Sequence, residues 1–317
     1  MDIHADVIVK LQESNQRLKD TYAQSHRNKD LIRQKLTKEA NIFRQMERLS
    51  TDHLVKTLAG RKLAGTDGSV NQTKGEAPHI IYLFQAISKA TDGRAEWTSD
   101  LFIPLLEHGD EEEEAISKQR AKRLAILELK AARSLIEKDD IAVMLMDGAL
   151  YHYRIDAKEE WEELRESALK RNTLLVGVSE EITTENLITL ESFATYARNP
   201  YSYDRDLLFG MLDQNEMIYI DTIQHKAGLL STWMRLGSTP TITGFDLLEE
   251  QRDHLNWIGD LLCTLTPSEG RGIPLWLDHI DKEIRITDKL VEGLVEQYID
   301  EDIRRQFFVK LRTERPY

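Results

Sequence analysis

Two apolar runs in this chain stop on the same dipeptide. "KLAGTDGSV", residues 62 to 70, climbs to Asp67 and Gly68, and "IAVMLMDGAL", residues 141 to 150, climbs to Asp147 and Gly148. Short apolar runs bounded by turn residues read as buried strands. A glycine placed after each carboxylate lets other groups approach the backbone closely. The chain must therefore adopt a fold that carries two core strands outward and ends each on an aspartate.

The sequence around these runs narrows the choice. After the first come "HIIYLFQAISKA" and "AEWTSDLFI", set apart by the turn compositions "NQTKGEAP" and "TDGR", which predicts a meander of three antiparallel strands. "DEEEEAISKQRAKRLAILELKAARSLIEKDD" is a helix whose acids gather in its first turns, where the dipole favours them. Next come the second Asp-Gly strand, the helix "DAKEEWEELRESALKRN" and the strand "TLLVGVSE". Strand, helix, strand implies a right-handed crossover between parallel neighbours. A three-stranded meander, a helix and a parallel strand open a ribonuclease-H-like fold.

Residues 5 to about 58 read as two helices with a bend near "AQSHRNKD". Residues 182 to 213 are helical in part and end in the loop "RNPYSYDRD". Strands are expected at "EMIYIDTI" and "STWMRLG", and helices at "FDLLEEQRDHLNWIGDLLCTL" and from Leu275 onward, after the loop "TPSEGRGIP". The expectation is an α/β fold: a ribonuclease-H-like mixed sheet with flanking helices and helical additions at both ends. Residues 1–58 form a helical segment for a dimer or partner contact, and residues 59–317 form the main domain.

Composition limits the chemistry. No window is apolar for the roughly 18 residues of a membrane span, and the acid-bearing start lacks the pattern of a secretion signal, so a cytoplasmic protein without a membrane partner is expected. Cys263 is the only cysteine, which excludes an internal disulfide and a thiolate cluster. Any metal must be held by oxygen and imidazole. The net charge of −13 opposes a polyanionic partner in general. Residues 25 to 62, however, carry ten Lys or Arg against four acids. That segment is compatible with nucleic acid approaching from one side, and equally with a solvated helix surface.

Asp67 and Asp147, joined by Glu128 on the long helix, would repel one another unless cations lay between them. Hard divalent ions such as Mg²⁺ or Mn²⁺ suit such oxygen ligands. A pair of them activates water and stabilises the leaving oxygen of a phosphodiester, which is nuclease chemistry. Glu137 is an alternative to Glu128, and the acidic run Asp110 to Glu114 reads as a solvated helix start.

These motifs, in order, resemble the NurA-type nuclease family. Its strand with V/T-D-G-S is matched by "AGTDGS", its helix glutamate by Glu128 in "LAILELKAAR", and its D-G-x-L strand by "LMDGAL". "LLVGVSE", "WMRLGS" with Arg235 and "IPLWLDHIDKE" with His279 follow the family's later elements across about residues 60 to 290. The resemblance implies that Asp67, Glu128, Asp147 and His279 hold one or two Mn²⁺ or Mg²⁺ ions, with His279 a ligand or proton-transfer group. Asp278 and Asp281 flank it. Arg235 would steady a phosphate.

The resemblance further implies a homodimer acting on single-stranded DNA or DNA ends, by 5′-to-3′ exonuclease or endonuclease cleavage, in end processing or defence against phage. It implies a HerA-like hexameric ATPase as partner, because the chain has no G-x-x-x-x-G-K-[ST] loop of its own. Two positions depart from the pattern. Glu180 stands where the family carries a lysine, leaving Lys170 or Arg171 to substitute, and Asp278 stands where it carries an alanine. A catalytically weak scaffold subunit and an enzyme acting on RNA are the competing readings.

Overall fold

This computed structural model describes residues 4–26, 29–40, 43–107, 113–180, 182–194, 196, 203–220, 223, 226 and 228–308. Nine strands are found among them: β1 (Phe43–Gln45), β2 (Lys62–Gln72), β3 (Tyr82–Ala90), β4 (Ala95–Phe102), β5 (Ile141–Asp147), β6 (Leu174–Ser179), β7 (Glu216–Tyr219), β8 (Leu229–Arg235) and β9 (Thr243–Leu248). The chain divides into two compact units, Met1–Arg48 with Ser179–Ile273 and Leu49–Val178 with Pro274–Tyr317. The sequence division at 58/59 is drawn differently.

The Leu49–Val178 and Pro274–Tyr317 unit is built on the order β4-β3-β2-β5-β6. β2, β3 and β4 are antiparallel neighbours, and β2, β5 and β6 run parallel. That strand order and sense are those of a ribonuclease-H-like fold, as the sequence predicted. The crossover to β5 is the helix Glu113–Lys138, rich in alanine and long side chains and free of Gly and Pro, which is why it runs unbroken. Leu127, Leu129, Ala132, Leu135 and Ile136 bury its apolar stripe. Part of the acidic run before it, residues 110 to 112, lies outside the described residues.

Two glycines in β2 set how closely helices reach the sheet. A Cβ at Gly65 would stand 2.6 Å from Ile280 Cδ1 and 3.1 Å from Trp276 Cδ1, on the helix Leu275–Ile284. A Cβ at Gly68 would collide with Glu128 Oε1 and stand 2.7 Å from Leu124 Cδ1. Positions three apart on a strand face opposite sides. Each glycine therefore admits one helix to one face.

The other unit carries the antiparallel order β1-β7-β8-β9. Its core gathers Ile32, Leu36, Phe193, Leu208, Ile218 and Trp233. Several acids buried in it are paired, although Asn215 Oδ1, Thr232 Oγ1 and Trp257 Nε1 are buried without a hydrogen-bond partner. Arg33 grips Glu216 with two bonds of 2.7 and 2.8 Å, and Arg44 grips Asp260 at 2.9 and 2.6 Å. Lys226 lies 2.9 Å from Asp246. Asp204 accepts from the amides of Leu187 and Ile188 and from the Thr184 hydroxyl.

Several sequence expectations are corrected here. Residues 43 to 45 form a strand, because Phe43 pairs with Ile218 and its ring lies under the Arg33 guanidinium. Residues 243 to 248 form a strand where a helix was expected from Phe245, since every residue of this run is buried and pairs with β8. The closing helical stretch is three helices, Leu275–Ile284, Asp288–Tyr298 and Glu301–Phe307. The bend expected near "AQSHRNKD" falls on Arg27 and Asn28, and most of the loop "RNPYSYDRD" on residues 198 to 202; both lie outside the described residues.

Candidate active site

The parallel register brings two carboxylates together. Gly65 pairs with Leu145 and Thr66 with Met146, so Asp67 and Asp147 are the next residues on adjacent strands. Parallel neighbours lie about 4.8 Å apart and point their side chains the same way. Asp67 is 8% exposed, and its Oδ1 accepts the amide of Gly68 at 2.7 Å.

Glu128 approaches from the long helix against the strand where Gly68 has no side chain, on the face opposite that of Gly65 and Asp67. It is buried, and its carboxyl is pushed up to about 8, first by burial and then by the negative charges of Asp67 and Asp147. The hydroxyl of Tyr153 opposes that shift by hydrogen bonding to it. None of the groups acting on Glu128 is a cation.

The donor types suit a hard divalent cation: three carboxyl groups act on one another electrostatically, that of Glu128 being pushed up to about 8 chiefly by burial. Among the described residues, no three His, Cys, Asp or Glu side chains stand in an arrangement that grips a metal. The cluster is thus one of charge and proximity, and coordination requires its carboxylates to turn toward an ion.

The other expected residues have partners of their own. His279 stacks on Trp276 with ring centroids 5.3 Å apart, and its Nε2 lies 3.5 Å from Glu283, which in turn holds Lys89 at 2.5 Å. Lys89 pairs with Gly65, two residues before Asp67, so the imidazole sits on the β3 flank of its helix. Arg235 belongs to the four-stranded unit and donates to the carbonyls of Leu212, Ser238 and Thr239, bracing a loop.

Lys170 and Arg171 close the helix Lys158–Lys170, where β6 begins, and Arg171 donates to the Glu137 carbonyl. They line a charged hollow with Arg133, Glu163 and Glu166. β5 starts at that end and reaches Asp147 six residues later, so about 20 Å separate them from the carboxylates. Glu180, in the other unit, is 3.3 Å from Arg271. Glu137, the alternative to Glu128, pairs with Arg133 on the surface.

Tyr153 is the site residue that sequence reasoning missed. "ALYHYRID" offers two tyrosines two positions apart, and only folding shows that Tyr153 turns inward while Tyr151 stays exposed.

A sheet of this order and sense, with Asp67 and Asp147 just beyond the Thr66–Met146 pair of β2 and β5, defines the class: an α/β protein of ribonuclease-H-like fold. The model of the NurA domain matches residues 61–286, and the chain belongs to that family. Membership supports a nuclease. No curated protein matches the sequence.

Solved structures similar to the chain include the catalytic domain of human endonuclease V (13% identity, 88% of this chain and 97% of that one, TM-score 0.39). Others are Ciona intestinalis endonuclease V in complex with a 24mer DNA containing an inosine followed by a ribo-adenosine (9%, 87% and 98%, 0.33) and the C-terminal lobe of a budding yeast Argonaute (11%, 81% and 54%, 0.37).

Proposed function

We propose that this protein is a metal-dependent deoxyribonuclease that hydrolyses phosphodiesters in single-stranded DNA or at DNA ends. One observation carries the reading: Asp67 and Asp147 follow a shared register pair, and both act on the buried Glu128. A divalent cation bound there supplies the charge that activates water and stabilises the leaving oxygen. Asp67, Glu128 and Asp147 would hold it, with His279 reaching it only by leaving Glu283. Each carboxylate would orient its oxygens toward the ion, Glu128 serving in its ionised form.

The family resemblance extends the proposal to a homodimer that receives DNA from a HerA-like hexameric ATPase. The helix Ala5–His26 suits such a contact, since Val7, Leu11 and Leu18 are exposed along it. Among the described residues no helix is long and apolar enough to cross a membrane.

The test is cleavage of labelled single-stranded DNA in Mn²⁺ by wild type and Asp67→Ala, with and without the ATPase. Cleavage lost in the variant is expected; DNA left equally intact by both proteins under every condition sinks the enzyme reading. A matched RNA strand decides the sugar preference. The second reading, a catalytically weak scaffold subunit, is favoured by Glu180 at the position where the family carries a lysine, and the same assay separates the two.

A further inference from the structure

The turn after β5 is built to return one hydroxyl to the carboxylates. Gly148 takes φ +122°, a conformation open to glycine, and its amide is fixed on the Val178 carbonyl at 2.8 Å. Gly177 lies beneath this turn: a Cβ there would stand 2.6 Å from the Gly148 carbonyl oxygen and 2.8 Å from Leu150 Cγ. The short helix Leu150–Asp156 then doubles back, burying Leu150 and Tyr153.

The Tyr153 hydroxyl donates to the main-chain carbonyl of Asp147 at 3.0 Å and also hydrogen-bonds the Glu128 carboxyl group. A phenol has one proton to give and lone pairs to receive. With its proton on the main-chain oxygen of β5, the Tyr153 hydroxyl accepts from the protonated Glu128 carboxyl, and once that carboxyl is ionised the same proton can turn to the carboxylate instead. Its ring is 5% exposed, which removes competing water.

From this geometry we infer that Tyr153 is a positioning residue of the site: its hydroxyl ties the Glu128 carboxyl group to the end of β5 and so fixes how far that carboxylate stands from Asp147. The inference rests on the proposed cation site. Burial alone would explain a phenylalanine here. The hydroxyl needs a reason, and its two partners are a carboxylate of the cluster and the backbone of another. Neighbours that orient a ligating side chain commonly alter metal affinity about 10- to 100-fold when removed.

The experiment measures Mn²⁺ affinity by the electron paramagnetic resonance signal of the free ion, for wild type, Tyr153→Phe, Glu128→Gln and the double variant, with urea unfolding of each protein in the absence of metal. Tyr153→Phe is expected to bind Mn²⁺ about 10-fold more weakly than wild type. The same substitution is expected to change nothing further in the Glu128→Gln background. A merely structural hydroxyl would act equally in both.

Equal affinity of wild type and Tyr153→Phe overturns the inference, as does an undiminished effect in the double variant. Loss of the fold in Tyr153→Phe assigns the hydroxyl to stability and overturns it as well. Failure of wild type to bind Mn²⁺, matched by Asp67→Asn, removes the cation site itself and is distinguishable from those results.

Discussion

In the four-stranded unit Glu216 meets Arg33, Asp260 meets Arg44, Asp246 meets Lys226, and Asp204 collects two amides and a hydroxyl. In the five-stranded unit Glu128 is buried with Asp67 and Asp147 acting against its charge. Both units bury acid; in the first, three of these acids face a cation, whereas the groups acting on Glu128 are the Tyr153 hydroxyl and two further acids. A buried charge without a partner is costly. At Glu128 burial and two neighbouring acids push the carboxyl up to about 8, the feature we propose serves cation binding, whereas Glu216 on β7 and Asp246 on β9 are paired with cations.

That contrast can be broken or sharpened by measurement. The largest expected effect is on turnover: Asp147→Asn should lower Mn²⁺-dependent cleavage more than about 100-fold, while Asp246→Asn in the other unit should leave per-molecule activity of the folded protein within a few-fold. Comparable losses in both would erase the distinction.

Stability against pH should differ next. Glu128 keeps its proton in the folded state up to about 8 but releases it near 4.5 when unfolded. The folded protein thus binds the extra proton between those values, and stability falls as pH rises through that window, by roughly 5 kcal/mol at most. Glu128→Gln should flatten this component in urea melts at pH 5 and pH 8, gaining on wild type at the higher pH. A variant that instead loses ground at pH 8 would show that Glu128 is answered after all.

Arg33→Met should have the opposite sign. It strands Glu216, 7% exposed, and should cost about 3–5 kcal/mol in the same melts. Gly68→Ala should cost about 1–3 kcal/mol, because the added methyl meets Leu124 and the Glu128 carboxyl, and cleavage should fall further than stability does. Thr184→Val, which removes one of several donors on Asp204, should cost only about 1 kcal/mol and leave cleavage untouched.

The cluster was legible because its parts are local patterns. Two apolar runs ending in Asp-Gly announced strand ends, and the lengths between them left one ordinary way to connect a meander, a helix and a parallel strand. Glu128 was legible through its place on a long helix without breakers. Two short strands carried weaker signals. Phe43–Gln45 is strand only because Met217 and Ile218 lie beside it, and "TGFDLL" lies in a stretch whose Leu and Glu favour helix until β8 claims its backbone. Arg235 and His279 show the other limit. A motif gives residue type and order, but the partners that occupy a guanidinium or an imidazole, here three loop carbonyls for one and Trp276 with Glu283 for the other, come from residues far away in the chain.

The helix Leu275–Ile284 packs Ile280 and Ile284 on Ile87, yet it follows the entire Ser179–Ile273 stretch that builds the other unit. During synthesis the strands from β2 to β6 leave the ribosome first, and the sheet face bearing Gly65 and Ile87 stays bare until the chain resumes at Pro274. A ribosome stalled within that interval would display an oily surface to chaperones and proteases. Truncation before Pro274 should therefore yield an insoluble fragment even though all three acids of the cluster are already present.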